Sequence, residues 1–409
     1  MIRKTLLVLI TLASIVSCDN DLDIIAEWKD IPVVYGILNA QDSVHYVKLN
    51  KAFLGQGDVM SMAQEFDSLH YNQEEVGLRL VEYSNIAIQY VENLELDCTN
   101  GIDTACSKLD MIRDCINGND CIYIPQDSFH NAFNIESHIK SIELYPTYDF
   151  EKPEGIFSFP NQVVYMTTES LNNERYYSAE VYDKSEDTVI ASNLIPIDVL
   201  SPLQIIKPNP ASALNLVPNG NYPITVEWSP LEAADLYELK IRFHYVEQQI
   251  ANLSDTVHKY IDWNFPYRLP TSSITSESIS LDAEQFLNFL AVNIDENPNV
   301  YRQVKGMQVT QASLSHACLD ITLMAAGQNL STYVLLNQNS NSIVVDRPEF
   351  SNIDNGIGIL SSRSFKVIED IKLNNDSNDE IAFNEITKHL NFAYFEFDFD
   401  DGVDTLYVN

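Results

Sequence analysis

Apolar and polar residues alternate along short segments of the first half of the chain: Pro32 to Leu38, Val44 to Leu49, Val76 to Tyr83, Ala87 to Val91, Gln162 to Thr167, Tyr176 to Tyr182 and Val189 to Asp198. A period of two places alternate side chains on one face of an extended strand. The segments are rich in Val, Ile and Tyr and are separated by Asn, Asp and Gly, which is the strand signature. No long amphipathic helix separates them, so the pattern predicts an antiparallel sandwich over residues 31–200 and disfavours βαβ wiring. Later strands are predicted at Ala317 to Ala325, Ser331 to Leu336 and Ile357 to Val367. Phe392 to Phe399 and Thr405 to Val408 predict a C-terminal hairpin on the Asp401-Gly402 turn. One stretch changes period. Phe286, Leu287, Phe289, Leu290 and Ile294 share a helical face until Pro298. Asp282 stands where a cap is needed, Gln285 can bond back to it, and Leu281 can staple onto Phe286. A helical insertion is therefore predicted over 281–297.

Pro196, Pro202, Pro208 and Pro210 space out the stretch after the first block of strands. Proline removes donors and sets extended backbone, so a linker and domain boundary are predicted here, at 200/201. Beyond it, Tyr222-Pro223-Ile224-Thr225-Val226-Glu227-Trp228-Ser229-Pro230 leads into Leu236-Tyr237-Glu238-Leu239-Lys240-Ile241. Residues 208–245 resemble strands B and C of a fibronectin type III domain, where a tryptophan packs between the sheets and a tyrosine alternates with apolar neighbours. The chain departs from the plain module after Tyr245, where a long insertion is expected before the next sandwich strands. The predicted fold is mainly β. It comprises two immunoglobulin-like or fibronectin III-like antiparallel β-sandwich domains in tandem, 31–200 and 201–409, with a small helical insertion in the second.

Composition changes the picture through charge. The 59 acidic residues against 24 basic give a net charge of −35. Such a body repels phosphate backbones and anionic headgroups, which argues against nucleic acid as a partner. Apolar content of 45% supports buried cores and excludes a wholly disordered chain. The apolar stretch Leu6 to Val16 follows Arg3 and Lys4 and is about half the roughly 20 residues that span a bilayer as a helix. With Ile15-Val16-Ser17-Cys18 it resembles a bacterial lipoprotein signal and its lipobox. The resemblance implies a signal peptide over 1–17 and lipidation of Cys18, followed by an acidic tether over 18–30. Asp19-Asn20-Asp21-Leu22-Asp23 is similar to the export tract of Bacteroidota lipoproteins, which implies an outer-membrane, surface-facing address. In other bacteria an Asp there can instead mean inner-membrane retention. A membrane attachment of this kind rests on acyl chains, since no basic patch supports it.

Four cysteines, Cys98, Cys106, Cys115 and Cys121, fall in a short polar segment. In an exported protein this spacing predicts two disulfides stapling an insertion over 97–122, with three connectivities open. Spacers of this length are too long for the usual structural zinc pairs, and no CxxC is present. Cys318, between Ala317 and Leu319, reads as a buried apolar residue. Eight dispersed histidines form no HExxH pair, and there is no GxSxG elbow, P-loop or dinucleotide fingerprint. No catalytic residue and no cofactor is predicted. Asp398, Asp400 and Asp404 form a weak calcium candidate at the terminal turn. The glutamate that normally completes such a loop is missing, so a solvated turn is the plainer reading.

Two further blocks carry a resemblance. Val33-Val34-Tyr35-Gly36-Ile37-Leu38 and Asn352-Ile353-Asp354-Asn355-Gly356-Ile357-Gly358, with the lipobox, are similar to an uncharacterised Bacteroidota family of outer-membrane lipoproteins. That resemblance implies an accessory role beside a TonB-dependent transporter barrel. The resulting expectation is a non-catalytic, lipid-anchored binding module at the cell surface. An adhesion or envelope-structural protein is the alternative, and a surface hydrolase using a carboxylate pair is a third reading.

Overall fold

A computed structural model describes residues 30–52, 59–83, 138–151, 162–193, 195–217, 224–271, 275–305, 316–338, 350–398 and 403–407, with the single positions 99, 101, 106, 107, 153, 155 and 157. The first part of the chain forms β1 (Ile31–Leu38), β2 (His45–Ala52), the one-turn helices α1 (Val59–Met62) and α2 (Phe66–Leu69), and β3 (Val76–Tyr83). It continues through β4 (His138–Thr147), β5 (Val164–Thr167), β6 (Tyr176–Asp183), β7 (Thr188–Asn193) and β8 (Ile197–Asp198). Next come β9 (Ile205–Lys207), β10 (Ile224–Trp228), β11 (Ala234–Gln249), β12 (Asn252–Asn264), β13 (Glu277–Leu281) and α3 (Ala283–Asn293). The remainder is β14 (Val300–Val304), β15 (His316–Gly327), α4 (Gln328–Gln338), β16 (Ile353–Asp354), β17 (Ile357–Leu373), α5 (Asn375–Phe383), and the pair β18 (Tyr394–Asp398) and β19 (Val403–Tyr407).

These strands make one large mixed sheet, ordered β12-β11-β15-β17-β1-β2-β5-β4-β3-β6-β7-β16, with β14 also on β11 and β8 on β6. A separate three-stranded sheet runs β13-β10-β9. The alternation read from the sequence is what folds them. In β1 the residues Pro32, Val34, Gly36 and Leu38 turn inward, and in β11 Tyr237, Leu239, Ile241, Phe243 and Tyr245 do so. Two cores result. One joins β1 to β8 around Leu38, Leu78, Leu80, Tyr177 and Val181. The other lies between the three-stranded sheet and strands β11, β15 and β17, and holds Trp228, Phe243, Phe286 and Ile321. Trp228 is fully buried with its ring 5.3 Å from that of Tyr237, whose hydroxyl accepts from the Leu231 N–H at 2.7 Å.

β17 serves both cores. Leu360 packs into the first, and Ile368, Ile371 and Leu373 into the second. Its opening residues pair in parallel with β1, from Val33 against Ile357 to Leu38 against Ser362, and its later residues pair antiparallel with β15. This corrects the expectation of purely antiparallel pairing. The partners are more than 300 residues apart in sequence, and the connection between them runs through the rest of the first body and the strands of the second instead of a single helix. β16 adds to the edge of β7, so Ile353–Ser362 belongs structurally with the first body, outside the 31–200 range.

The turn between β16 and β17 lies within the Asn352–Gly358 block. Asn352 turns its side-chain amide onto the backbone of Leu360, accepting from the N–H at 2.9 Å and donating to the C=O at 2.7 Å. Ser351 Oγ accepts from the N–H groups of Ile353 and Gly358. Gly358 has φ +126°, and a Cβ there would lie 1.9 Å from the Val34 carbonyl oxygen, a place where no side chain fits.

Three other expectations are corrected. Ser331 to Leu336 is helix α4, not strand. A short apolar run does not distinguish the two, and the Leu330 N–H in the first turn is satisfied by Ser361 Oγ, a partner supplied only by the tertiary fold. The supposed insertion after Tyr245 continues as a long hairpin of β11 with β12. Its polar, exposed run from Asp255 to Lys259 hides an edge strand. The proline-spaced linker carries β8 and β9 and buries Leu200 and Leu203. Helix α3 forms inside its predicted range, with Asp282 accepting from the Glu284 N–H.

Candidate functional site

The outward face of the second body gathers charged, polar and aromatic side chains. Because the inward positions of β11 from Tyr237 to Tyr245 are odd-numbered and apolar, the even positions between them, Glu238, Lys240, Arg242 and His244, must stand on the opposite face. Register extends the face across neighbours. Arg242 lies opposite Asp262 on β12 and Asp320 on β15, and Lys240 opposite Asn264 and Thr322.

Arg242 and Asp262 form a two-pronged pair, Nε to Oδ1 at 2.7 Å and Nη2 to Oδ2 at 2.9 Å, with the guanidinium 4.0 Å from the centre of the Tyr260 ring. The hydrogen bond from Arg242 holds the Asp262 carboxyl below the usual carboxylate range. His244 Nε2 meets Asp320 Oδ2 at 2.6 Å, and Asp320 Oδ1 accepts from the Asp370 N–H. These pairs brace one end of the face.

Beside them is a depression of about 480 Å³. Glu238 and Lys240 of β11 line it, with Asp262 and Asn264 of β12 on one flank, Thr322 and Met324 of β15 on the other, and Arg363 and Phe365 of β17 beyond. Its volume falls within the roughly 300–1,000 Å³ of ordinary ligand sites. Lys240 and Arg363 make no direct ion pair among the described residues, although the Lys240 charge helps to lower the Asp262 carboxyl, and Arg363 Nε is shielded from water with no hydrogen-bond partner. Every lining side chain comes from a strand held on both sides or along a long hairpin, so the constellation is positioned by backbone.

None of the described candidate site residues named from sequence is among those lining the depression. Cys18, Cys98, Cys115, Cys121 and Asp400 lie outside the described residues. Cys106 is disulfide-bonded, and no bridge has both of its cysteines among the described residues. Asp398 and Asp404 sit on the paired strands β18 and β19, with side chains outside what is described. Cys318 is fully buried and its thiol is pushed up by burial. Among the described residues no group of three or more His, Cys, Asp or Glu is arranged to hold a metal ion, and no helix is long and apolar enough to cross a membrane. The missed signal was the even register of β11: Lys240 and Arg242 concentrate positive charge on one strand face of an acidic chain. Compared with known proteins, the chain matches no family model and no curated protein sequence.

Proposed function

We propose that the chain is a lipid-anchored binding module of a bacterial outer membrane, held by an acylated Cys18, with the β11–β17 depression as its recognition surface. The observation that carries this reading is a sheet face, placed by strand register, on which Arg363 Nε is buried without a hydrogen-bond partner and Lys240 makes no direct ion pair among the described residues. The second body reads as a fibronectin III-like sandwich. Its support is the order β9, β10, β13 packed on β12, β11, β15, β17, with Trp228 against Tyr237 between the layers. The family reading draws support from β1 and the Asn352–Gly358 block, distant in sequence, being one contact in space. Under it, a TonB-dependent barrel is the partner.

Crosslinking in intact cells tests the proposal. The native protein is expected in the membrane fraction, accessible to added protease and crosslinked to an outer-membrane barrel, and Cys18→Ala is expected to release it. Native protein that fractionates away from membranes, or that crosslinks to no partner, would sink it.

A further inference from the structure

We infer that the Lys240–Arg363 depression takes a small carboxylate that also carries hydroxyl groups, an acidic sugar or hydroxy acid; this rests on reading the same face as a binding surface. The first argument is charge. In a chain of net charge −35, cations are normally consumed by neighbouring carboxylates, as Lys51, Arg79, Lys140, Lys207, Lys259 and Lys305 are. Arg242, at the rim, is likewise neutralised by Asp262. Lys240 and Arg363 share a depression and have no such partner among the described residues. Glu238 and Asp262 line the same depression, but Asp262 is held by both prongs of Arg242, which leaves Lys240 and Arg363 set against Glu238 alone, a local positive excess on a molecule that elsewhere repels anions.

The second argument is desolvation. Arg363 Nε is buried without a hydrogen-bond partner, and the guanidinium lies 5.8 Å from the centre of the Phe365 ring. A cation already stripped of part of its water gains more from an incoming anion than a hydrated one. The third is the neutral chemistry. Asn264 and Thr322 flank Lys240 in register and offer an amide and a hydroxyl to carboxylate oxygens. Glu238, two positions along the same strand, also lines the depression and, when ionised, only accepts. It disfavours a bare multivalent anion such as phosphate and suits a ligand bearing hydroxyl donors.

Calorimetry on the purified full chain tests this with glucuronate, its methyl ester, glucose and a glucuronate-terminated disaccharide. Glucuronate is expected to bind, and the ester and glucose to bind at least about tenfold more weakly, the worth of a hydrogen bond to a charged group. Lys240→Met and Arg363→Met are each expected to weaken glucuronate binding about tenfold while leaving the thermal unfolding midpoint near the parent value. A tighter disaccharide would identify the end of a glycan as the source, and equal affinity the free acid. The inference is overturned if the ester or glucose binds as well as glucuronate, if neither substitution weakens binding, or if glucuronate fails to bind at about 10 mM. A crosslinked partner without glucuronate binding sinks the anion inference alone. Glucuronate binding without a crosslinked partner keeps it and removes the transporter reading.

Discussion

The first body completes its sheet with Ile353–Ser362, residues that arrive long after β8, whereas the second closes by stacking strands that all fall between Ile205 and Leu373. One is finished by a precise backbone fit, Gly358 against Val34 and Asn352 against Leu360. The other is finished by volume, a dense apolar filling around Trp228, Phe243 and Phe286, reinforced by one buried ion pair. Sensitivity should differ accordingly: a single methyl group can break the first closure, while the second should yield to loss of charge or bulk.

The largest effect expected is from Gly358→Val. The added side chain starts 1.9 Å from the Val34 oxygen, so the parallel pairing must separate, at a cost above about 4 kcal/mol. Two of the three tryptophans, Trp228 and Trp263, lie in the second body. If the closures are separable, denaturant unfolding of this variant keeps a tryptophan transition while far-ultraviolet dichroism falls early. If both signals vanish together, β17 couples the bodies into one cooperative unit.

Arg302→Met should come next, at about 3–5 kcal/mol in urea unfolding, because it breaks a buried pair. Arg302 is only 2% exposed and bonds Glu247 Oε1 and the carbonyls of Leu390 and Asp295. Asn352→Ala removes two hydrogen bonds to Leu360 and should cost about 1–3 kcal/mol, with faster hydrogen exchange at the Leu360 amide while β15 amides stay protected.

The smallest effect is on pH dependence. Burial alone would raise the Glu247 carboxyl, but its bonds and attraction to Lys259 and Arg302 outweigh that and hold it below the ordinary value, as Arg242 does for Asp262. A depressed folded value stabilises above the unfolded value and that stability is lost as pH falls through the folded one, so the second body should weaken below about pH 4. Asp262→Asn, at a partly exposed pair, should flatten part of that acid limb of the tryptophan melting curve. An unchanged limb would show that other carboxylates govern it.

Strand existence was legible where alternation runs long, as in β1, whose predicted Pro32–Leu38 falls within Ile31–Leu38, whereas the five-residue β14 alternates in burial just as cleanly and was too short to stand out. Helix α3 was legible because its cap and stripe are local. What escaped was set by distant partners. α4 depends on Ser361 for its first turn, β12 is an edge with little apolar signal, and the β1–β17 pair follows from the steric emptiness of Gly358. The depression was invisible for the same reason: its four strands meet only by register, and no short motif spans Lys240 and Arg363.

A strand held in common has a consequence in time. Ribosomes add about 5–20 residues per second, and most domains fold soon after their last residue emerges. Here the hydrophobic interior lined by Leu38, Leu78 and Tyr177 must wait for Leu360. Nascent β1–β8 thus stays open for on the order of ten seconds or more at those rates, exposing its apolar strand faces throughout that window.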